Sequence, residues 1–541
     1  MYRRSCRSNP VTGGDRQLSC FPEVSVRRGR MAGTLSRRKS PAAFRAPEER
    51  LSRAPLLVLT VLSAVFYSAY SLISFARFRA SAYDLVIFDQ AVRSYSHLGP
   101  PVAMVKGVHN GFGDQFSILG DHWSPILALL SPFYWVHDGP ETLLVLQAIL
   151  LASAIPFLWR YAFRAFSAGP VVSRYGAERM AYCVAVVYAI SWPVAEAVAF
   201  DFHEVAFVPL LTAVLLERHQ AGRRWHVLLA AFLILQVKED MGLLVAGVGL
   251  FFITRKGDRA LGALFVLVGA VAAYLCTQVL IPHFGGRADY YWAYSGLGRD
   301  FREAALRALA HPFDAVSLLA TPPVKIQTVV LLLAPLLFAS VMSPVTVAAV
   351  PLLMERMLSS SFPNWWEPKY HYNAFIVMVV FVGGVDGYRR MAARIRSRTS
   401  PEPAAKNPGR LLRVVRGWPS LVLLVSVAMI PFFAFGRFFG VGFHASTTRT
   451  EAAAAAVAVV PDNALVDAAN NVAPALSSRT RTLLWDRTVR WAPWVVADVG
   501  KHAFPFPSLD EQTARVDFLL RNDYRVAFSS GGYVVLSRVR S

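Results

Sequence analysis

Long apolar runs limit most strongly what this chain can fold into. Seven runs are close to the roughly 20 residues that cross a bilayer as a helix; they are 55–75, 141–159, 178–197, 259–281, 324–341, 372–388 and 417–436. Four shorter runs are 203–218, 224–237, 241–255 and 343–358. Only 17% of the residues are charged, against about 25% in soluble domains. The chain is therefore predicted to be a polytopic membrane protein.

Basic residues predict the orientation of this chain in the membrane. Residues 1–54 hold 13 Lys/Arg against 4 Asp/Glu, and residues 388–416 hold 9 against 1. A nucleic-acid-binding protein would spread its basic residues over a folded surface, so no nucleic-acid partner is expected. Basic residues beside apolar runs indicate cytoplasmic flanks and contact with membrane lipid. The other short basic loops predicted inside contain Arg160 and Arg164; Arg218, Arg223 and Arg224; and Arg255, Lys256 and Arg259.

Two interruptions decide the number of membrane crossings. The 13 residues of 124–136 are too short to cross, and Ser124 followed by Pro125 predicts the start of a helix that lies in the interface. Residues 238–240 interrupt the apolar stretch 227–254 with three ionisable groups, which are expensive to bury at mid-membrane. They are predicted to form an outward turn between two helices. About eleven transmembrane helices result, with the N-terminus in the cytoplasm.

The predicted fold class is all-α and polytopic, with a small C-terminal α/β domain outside the cytoplasm. Residues 1–54 form a basic cytoplasmic tail that is expected to be disordered, and 55–436 form the membrane domain with its first outside loop at 76–123. Residues 437–541 form the extracytoplasmic α/β domain. Its predicted elements are a helix at Glu451–Val460, a strand at Ala464–Ala469, a helix at 509–521, and strands at Tyr524–Phe528 and Tyr533–Val539 around a Gly-Gly hairpin turn.

Two carboxylates open the first outside loop. Asp84 and Asp89 are five residues apart, which is about 500° of helical rotation, so they would not share a face or a proton. One is predicted to act as a general base while the other fixes the loop. The alternative is structural: Asp89 would pair with Arg93 at i,i+4, and Asp84 would cap a helix.

Two further outside segments combine acids with histidine. Asp121 and His122 could bind a metal ion or a phosphate, or could cap and anchor the interfacial helix. Asp201, His203 and Glu204 form a carboxylate–histidine–carboxylate group that can ligate a divalent cation, the candidate cofactor. Polar residues are also ordinary at a turn between helices.

The remaining candidates are basic or aromatic residues close to the predicted membrane surface. Lys238 could hold a phosphate as a point charge, or could pair with the neighbouring Glu239 at a hairpin. Glu239, His122 and His203 are, like Lys238, candidates to bind the substrate or the lipid phosphate. Lys369 and His371 are placed where an anionic lipid headgroup would meet the bilayer. Tyr372 could stack on a sugar ring or mark the interface.

The chain resembles a family of polytopic bacterial membrane proteins, defined by a domain of unknown function, that is grouped with the GT-C glycosyltransferase superfamily. The resemblance covers roughly residues 55–540, and it depends on the order of the motifs. They are YDLVIFDQ (83–90), DHWSP (121–125), FHE (202–204), KED (238–240), His371-Tyr372 and VPD (460–462). Trp123 departs from the Phe that is usual in the second motif.

The resemblance implies an inverting glycosyltransferase with a polyprenyl-phosphate-linked sugar as donor. GT-C enzymes carry an acidic residue in the first outside loop, where Asp84 and Asp89 lie. Such a carboxylate would deprotonate the acceptor hydroxyl, while Lys238, Lys369 and His371 would stabilise the departing lipid phosphate. The site would face the outer side of the cytoplasmic membrane.

Two other classes of function remain open from the sequence. One is a transporter or flippase for a lipid-linked or anionic solute, for which inverted repeats would be expected. The other is a non-catalytic envelope scaffold whose C-terminal domain binds a partner.

Overall fold

The structure is a computed structural model and describes residues 54–168, 173–287, 292–398 and 410–539. From Arg50 onward the chain forms one compact unit. The predicted cytoplasmic tail lies outside the described residues, apart from its last residue. The predicted boundary between residues 436 and 437 stays a prediction.

Four helical segments are long and apolar enough to cross a membrane, within the part of the chain that the structure describes. They are Ala54–Ala76, Pro140–Ser167, Tyr175–Ala199 and Arg259–His283. Shorter apolar helices are Pro125–Tyr134, Arg224–Ile234, Met241–Ile253, Val324–Leu336 and Gly417–Phe432. The helical membrane protein is confirmed, and the total of eleven spans remains a prediction.

The α-helices differ widely in length, because several apolar runs are broken by prolines and polar turns. In chain order the α-helices are Ala54–Ala76, Ile87–Ser96, Met104–His109, Ser131–Tyr134, Pro140–Ser153, Ile155–Ser167, Arg174–Ala189, Trp192–Ala199, Phe207–Gln220, Arg224–Ile234, Met241–Ile253, Arg259–Leu275, Ile281–His283, Phe301–Ala310, Pro312–Leu318, Val324–Leu333, Val350–Leu358, Ala374–Arg398, Arg410–Met429, Ala434–Phe438, Val441–His444, Thr448–Val459 and Leu509–Leu520. Two π-helices are Ala82–Val86 and Cys276–Leu280.

The two predicted interruptions are both present. Residues 235–240 separate Arg224–Ile234 from Met241–Ile253, which confirms the turn between two helices. The segment after Pro125 is a 3-10 helix followed by one short α-helical turn. The predicted helix start is confirmed, with Ser124 at the N-cap position, but the Ser124 hydroxyl donates to the carbonyl of His122 and makes no capping bond.

The C-terminal segment contains a five-stranded mixed sheet of order β2-β1-β3-β5-β4. Its strands are β1 Leu465–Ala468, β2 Arg481–Leu484, β3 Trp494–Asp498, β4 Tyr524–Ser530 and β5 Tyr533–Arg538. Strands β2, β1 and β3 are parallel, while β5 pairs antiparallel with β3 and β4. The predicted helices, the first strand and the hairpin are confirmed, and β2 and β3 are additional.

This sheet region packs against the segment that the sequence analysis predicts as the first outside loop. The backbone N–H of Ala82 donates to the carbonyl of Asn470 at 2.7 Å, and the side-chain amide of Gln90 donates to the carbonyl of Thr482 at 2.9 Å. The C-terminal region therefore holds both ends of the helical segment that carries Asp84 and Asp89.

Candidate functional site

Asp84 lies in the π-helix Ala82–Val86, directly before the α-helix Ile87–Ser96. Single π-helical turns are rare in proteins overall, but those that occur are frequently found at functional sites. The backbone N–H of Tyr83 donates to the side-chain oxygen of Asn470 at 3.1 Å and so ties this turn to the C-terminal region. The Asp84 side chain retains 31% of its exposure. The turn thus presents a carboxylate that is held in place but open to a reactant.

Ser81 links Asp84 to a second carboxylate. Its hydroxyl oxygen lies 2.8 Å from Oδ2 of Asp84 and 2.8 Å from Oδ2 of Asp201. Burial and the charge of Asp84 raise the pKa of Asp201 to about 7. Burial also opposes ionisation of Asp84, but hydrogen bonds from His203 and Ser81 hold its pKa below the usual range. Environments that push two carboxyl pKa values apart assign them different roles: Asp84 is the anion, and Asp201 is the group that exchanges a proton near neutral pH.

Two histidines continue the site from Asp84. Nε2 of His203 lies 3.5 Å from Oδ1 of Asp84, and the His203 ring stacks on the ring of His371 with centroids 3.8 Å apart. His371 is buried, and neither of its ring nitrogens has a hydrogen-bond partner within the part of the chain that the structure describes. Burial and the neighbouring positive groups lower its pKa well below the ordinary value. The sequence analysis grouped His371 with the basic residues that would stabilise a phosphate. In the structure His371 is instead neutral and offers one N–H donor.

The polar turn at 235–240 pairs with two other segments. Nζ of Lys238 lies 3.5 Å from Oε1 of Glu204, and both side chains are buried. Oε1 of Glu239 lies 2.8 Å from Nδ1 of His122, and its Oε2 accepts from the backbone N–H of Trp123 at 3.2 Å. Lys238 thus pairs across the fold rather than with its own neighbour Glu239. Three sequence motifs that are distant along the chain meet at this turn.

Lys106 belongs to the site and was missed by sequence reasoning. Its ammonium lies 3.0 Å from Oδ1 of Asp121 and donates to the hydroxyl of Tyr83 at 3.1 Å. The side chain is only 3% exposed. A single lysine within the apolar segment 102–108 was the available signal, since a buried charge requires a partner.

Asp89 has a different environment from Asp84. It is fully buried, receives two hydrogen bonds from the Arg93 guanidinium at 2.7 and 2.9 Å, and accepts a third from the hydroxyl of Tyr134 at 2.8 Å. The structural alternative for Asp89, the i,i+4 pair, is therefore confirmed.

The last predicted group divides between surface and interior. Lys369 is exposed and makes no hydrogen bond or ion pair with another described residue, whereas Tyr372 is half-buried against the His371 ring at 4.2 Å. Arg356, which sequence reasoning missed, is buried and donates to the carbonyl of Tyr372 and the side chain of Asn373 at 3.0 Å each. Arg356 therefore fixes the backbone beside His371.

The three candidate metal ligands have different partners. Asp201 faces Ser81, His203 faces Asp84, and Glu204 faces Lys238. Among the described residues, no group of three His, Cys, Asp or Glu side chains is arranged to hold a metal ion. These residues therefore share no point of ligation in this structure.

Comparison with known proteins agrees with this architecture. A family model described as "Predicted membrane protein (DUF2079)" matches residues 74–535. The crystal structure of ArnT from Cupriavidus metallidurans bound to undecaprenyl phosphate has a similar fold, with a TM-score of 0.52 and 12% sequence identity over 91% of this chain and 99% of that chain. No curated protein matches the chain. The likeness shows that the two chains share a fold.

Proposed function

The chain belongs to the DUF2079 family of predicted membrane proteins, and we propose that it is a glycosyltransferase that uses a polyprenyl-phosphate-linked sugar. One observation carries the proposal. Asp84, a partly exposed carboxylate, belongs to a cluster that contains the buried His371, and neither ring nitrogen of His371 has a hydrogen-bond partner among the described residues. Unpartnered buried polar atoms are rare, and a bound polar ligand would satisfy them.

The proposed reaction is the inverting transfer of a sugar from lipid phosphate to an acceptor hydroxyl. The acceptor oxygen attacks the anomeric carbon, the bond from that carbon to the phosphate oxygen breaks, and the hydroxyl proton passes to Asp84. The lipid phosphate leaves with the bonding electron pair. The carboxylate acts as the general base, a role worth about 10²–10⁴ in rate.

The departing phosphate would be stabilised on the side of the cluster opposite Asp84. Burial opposes the charged form of Lys238, yet the carboxylates of Glu204 and Glu239 raise its pKa, so the ammonium is retained. His371 would donate its single N–H, and the exposed Lys369 would meet the phosphate from the membrane surface. Positive groups placed where charge develops stabilise the transition state. A likeness in fold to a protein bound to undecaprenyl phosphate supports this type of donor.

Substitutions of two aspartates test the proposal. The full-length protein would be reconstituted in liposomes with undecaprenyl-phosphate sugars, and transfer to lipid or glycan acceptors would be followed by mass spectrometry. Asp84→Asn is expected to abolish transfer while the protein still folds. Asp114→Asn, a neutralised exposed acid of the same loop, is the matched control and should leave transfer unchanged.

The same experiment separates the rival functions. A transporter or flippase would lose solute movement in Asp84→Asn with no change in glycan products, and a scaffold would be indifferent to the substitution. Equal transfer by Asp84→Asn and Asp114→Asn would refute the proposed base.

The orientation is part of the proposal and has its own test. Eleven spans with a cytoplasmic N-terminus would put the site and the C-terminal region outside the cytoplasm. A variant whose native cysteines are replaced by alanine would carry one new cysteine, either Ser446→Cys or, as the cytoplasmic control, Ser397→Cys. A membrane-impermeant maleimide should label the first variant in intact cells and the second only after lysis. The reverse pattern would overturn the outward-facing site.

A further inference from the structure

A second cavity lies between the first outside loop and the C-terminal region, away from the Asp84 cluster. Its volume is about 560 Å³, within the range of roughly 300–1,000 Å³ found for small-molecule sites. One wall comes from the helix Ile87–Ser96 and residues 97–104, and the other from Asn463 and residues 477–481. Nine residues at 1.5 Å each separate Asp84 from Arg93 on the cavity wall, about 13 Å along the helical segment.

Internal bonds hold the two walls of this cleft together. Gln90 accepts from the backbone N–H of Val105 at 2.9 Å and donates to Thr482 on the opposite wall. Arg93 is held by Asp89, and Arg479 by Asp462 at 2.9 Å. Because these polar groups are already paired, they shape the cleft and are not available as its ligand contacts.

A separate set of cleft side chains has no partner within the described part of the chain. These side chains make no hydrogen bond or ion pair with another described residue; they are Ser94, Gln115, Asn463, Ser478 and Arg481. The amides of Gln115 and Asn463 both donate and accept, and the two hydroxyls do the same. Such groups suit a ligand that carries several hydroxyls.

Charge defines the rest of the ligand. No Asp or Glu lines the cleft, and Arg481 is the exposed cation on its wall that has no acidic partner among the described residues. A guanidinium forms two parallel hydrogen bonds with a carboxylate or phosphate. Pro100, Val102 and Met104 add an apolar patch, which suits the C–H face of a sugar ring.

From this combination we infer that the cleft binds an acidic saccharide, whose hydroxyls meet the amide and hydroxyl groups and whose anionic group meets Arg481. The inference rests on the proposed function and deepens it by naming an acidic saccharide as the acceptor class. A chain seated in the cleft could extend along the helix toward Asp84.

Direct binding tests the cleft without any need for catalysis. The full-length protein in nanodiscs would be titrated with trigalacturonate, with galactotriose as the neutral counterpart, and with inorganic phosphate. Trigalacturonate is expected to bind at least 10-fold more tightly than galactotriose. Arg481→Ala should weaken trigalacturonate binding about 10- to 100-fold, as expected for lost charged hydrogen bonds. Arg521→Ala, an exposed arginine outside the cleft, is the matched control and should bind like the wild type.

A second variant controls for a local structural effect of the Arg481→Ala substitution. Ser478→Tyr places a ring in the cleft and should weaken both trigalacturonate and galactotriose. Equal binding of the two saccharides by the wild type, or unchanged binding by both variants, would overturn the inference. Competition by inorganic phosphate as strong as that by trigalacturonate would overturn its saccharide part.

The two proposals fail in different ways. Asp84→Asn should bind trigalacturonate normally while it transfers no sugar. If the wild-type protein binds trigalacturonate but transfers no sugar, the proposed function is refuted and the cleft remains a saccharide-binding site. If neither Arg481→Ala nor added trigalacturonate alters sugar transfer, the cleft is refuted as the acceptor site and the proposed function still stands.

Discussion

The π-helix Ala82–Val86 and the α-helix that follows it carry one aspartate each, in very different environments. Asp84 keeps about a third of its exposure and contacts Ser81 and His203. Asp89 is fully buried and is held by the Arg93 guanidinium. The comparison teaches that two carboxylates five residues apart can differ in role, one reactive and one structural, because five positions along a helix point them at different neighbours.

Asp84→Asn is the substitution with the largest expected effect. Sugar transfer should fall about 10²- to 10⁴-fold, since a general base is lost. The amide still fits the hydrogen bond from Ser81, so the free energy of unfolding should change by less than about 1 kcal/mol. Initial rates in liposomes and denaturant titration in detergent measure the two effects. If Asp84→Asn lowered stability and transfer to a comparable extent, Asp84 would have the same structural role as Asp89.

Asp89→Asn should act mainly on stability. Removal of one partner of a buried ion pair costs about 3–5 kcal/mol, because the other charge remains uncompensated. Residual transfer per folded molecule should stay near the wild-type value, as measured by activity normalised to the monodisperse fraction. Asp138, the more exposed partner of Arg93, is the control, and Asp138→Asn should cost less than about 1 kcal/mol. A stable but inactive Asp89→Asn protein would reverse the assignment of the two aspartates.

Asn470→Ala tests whether the C-terminal region positions Asp84. The change removes the hydrogen bond from the Tyr83 N–H, worth about 1 kcal/mol, and should lower kcat about 10-fold with little change in the donor KM. Asn522→Ala is the control, since that side chain bonds only within its own helix end. A rise in KM at constant kcat would indicate donor binding instead of positioning.

Substitution of Asp201 should give the smallest effect, which is a pH-dependent shift in the midpoint temperature of thermal unfolding. Its folded-state pKa of about 7 lies above the ordinary aspartate pKa of 3.8, because the side chain is buried and close to the charge of Asp84. The stability linked to its protonated form is therefore full below about pH 4 and is lost as the pH rises through about 7. Asp201→Asn mimics the protonated form, so wild type and variant should melt alike at about pH 4 and below, and the variant should melt progressively higher as the pH rises to about 7 and above. Parallel melting curves at every pH would place the Asp201 pKa at its ordinary value.

Much of the local structure was predictable from the sequence. Apolar runs give the long helices, and the polar residues at 238–240 give the turn between two shorter ones. The two glycines of the β4–β5 turn have positive φ values of 54° and 85° at Gly531 and Gly532, which glycine adopts without strain. Strands β2 and β3, of four and five residues, were not predicted from the sequence.

The candidate site was only partly predictable. The carboxylates and histidines were identifiable because polar residues beside apolar runs are conspicuous. Lys106 and Arg356 were missed, since each lies in a mainly apolar stretch and contacts partners in other segments of the chain. The partners of Lys238 and Glu239 also differ from the nearest neighbours that sequence reasoning considered.

The sequence by itself determined that this protein is a helical membrane protein with a mixed α/β segment at its C-terminal end, because hydropathy and periodicity are properties of contiguous residues. Only the tertiary structure decided that Asp84 contacts His203 while Asp89 contacts Arg93, and that Glu239 meets His122 across 117 positions of chain. The physical reason is that ion pairs and hydrogen bonds act over a few ångströms in space, and packing of the helices decides which distant side chains come within that reach.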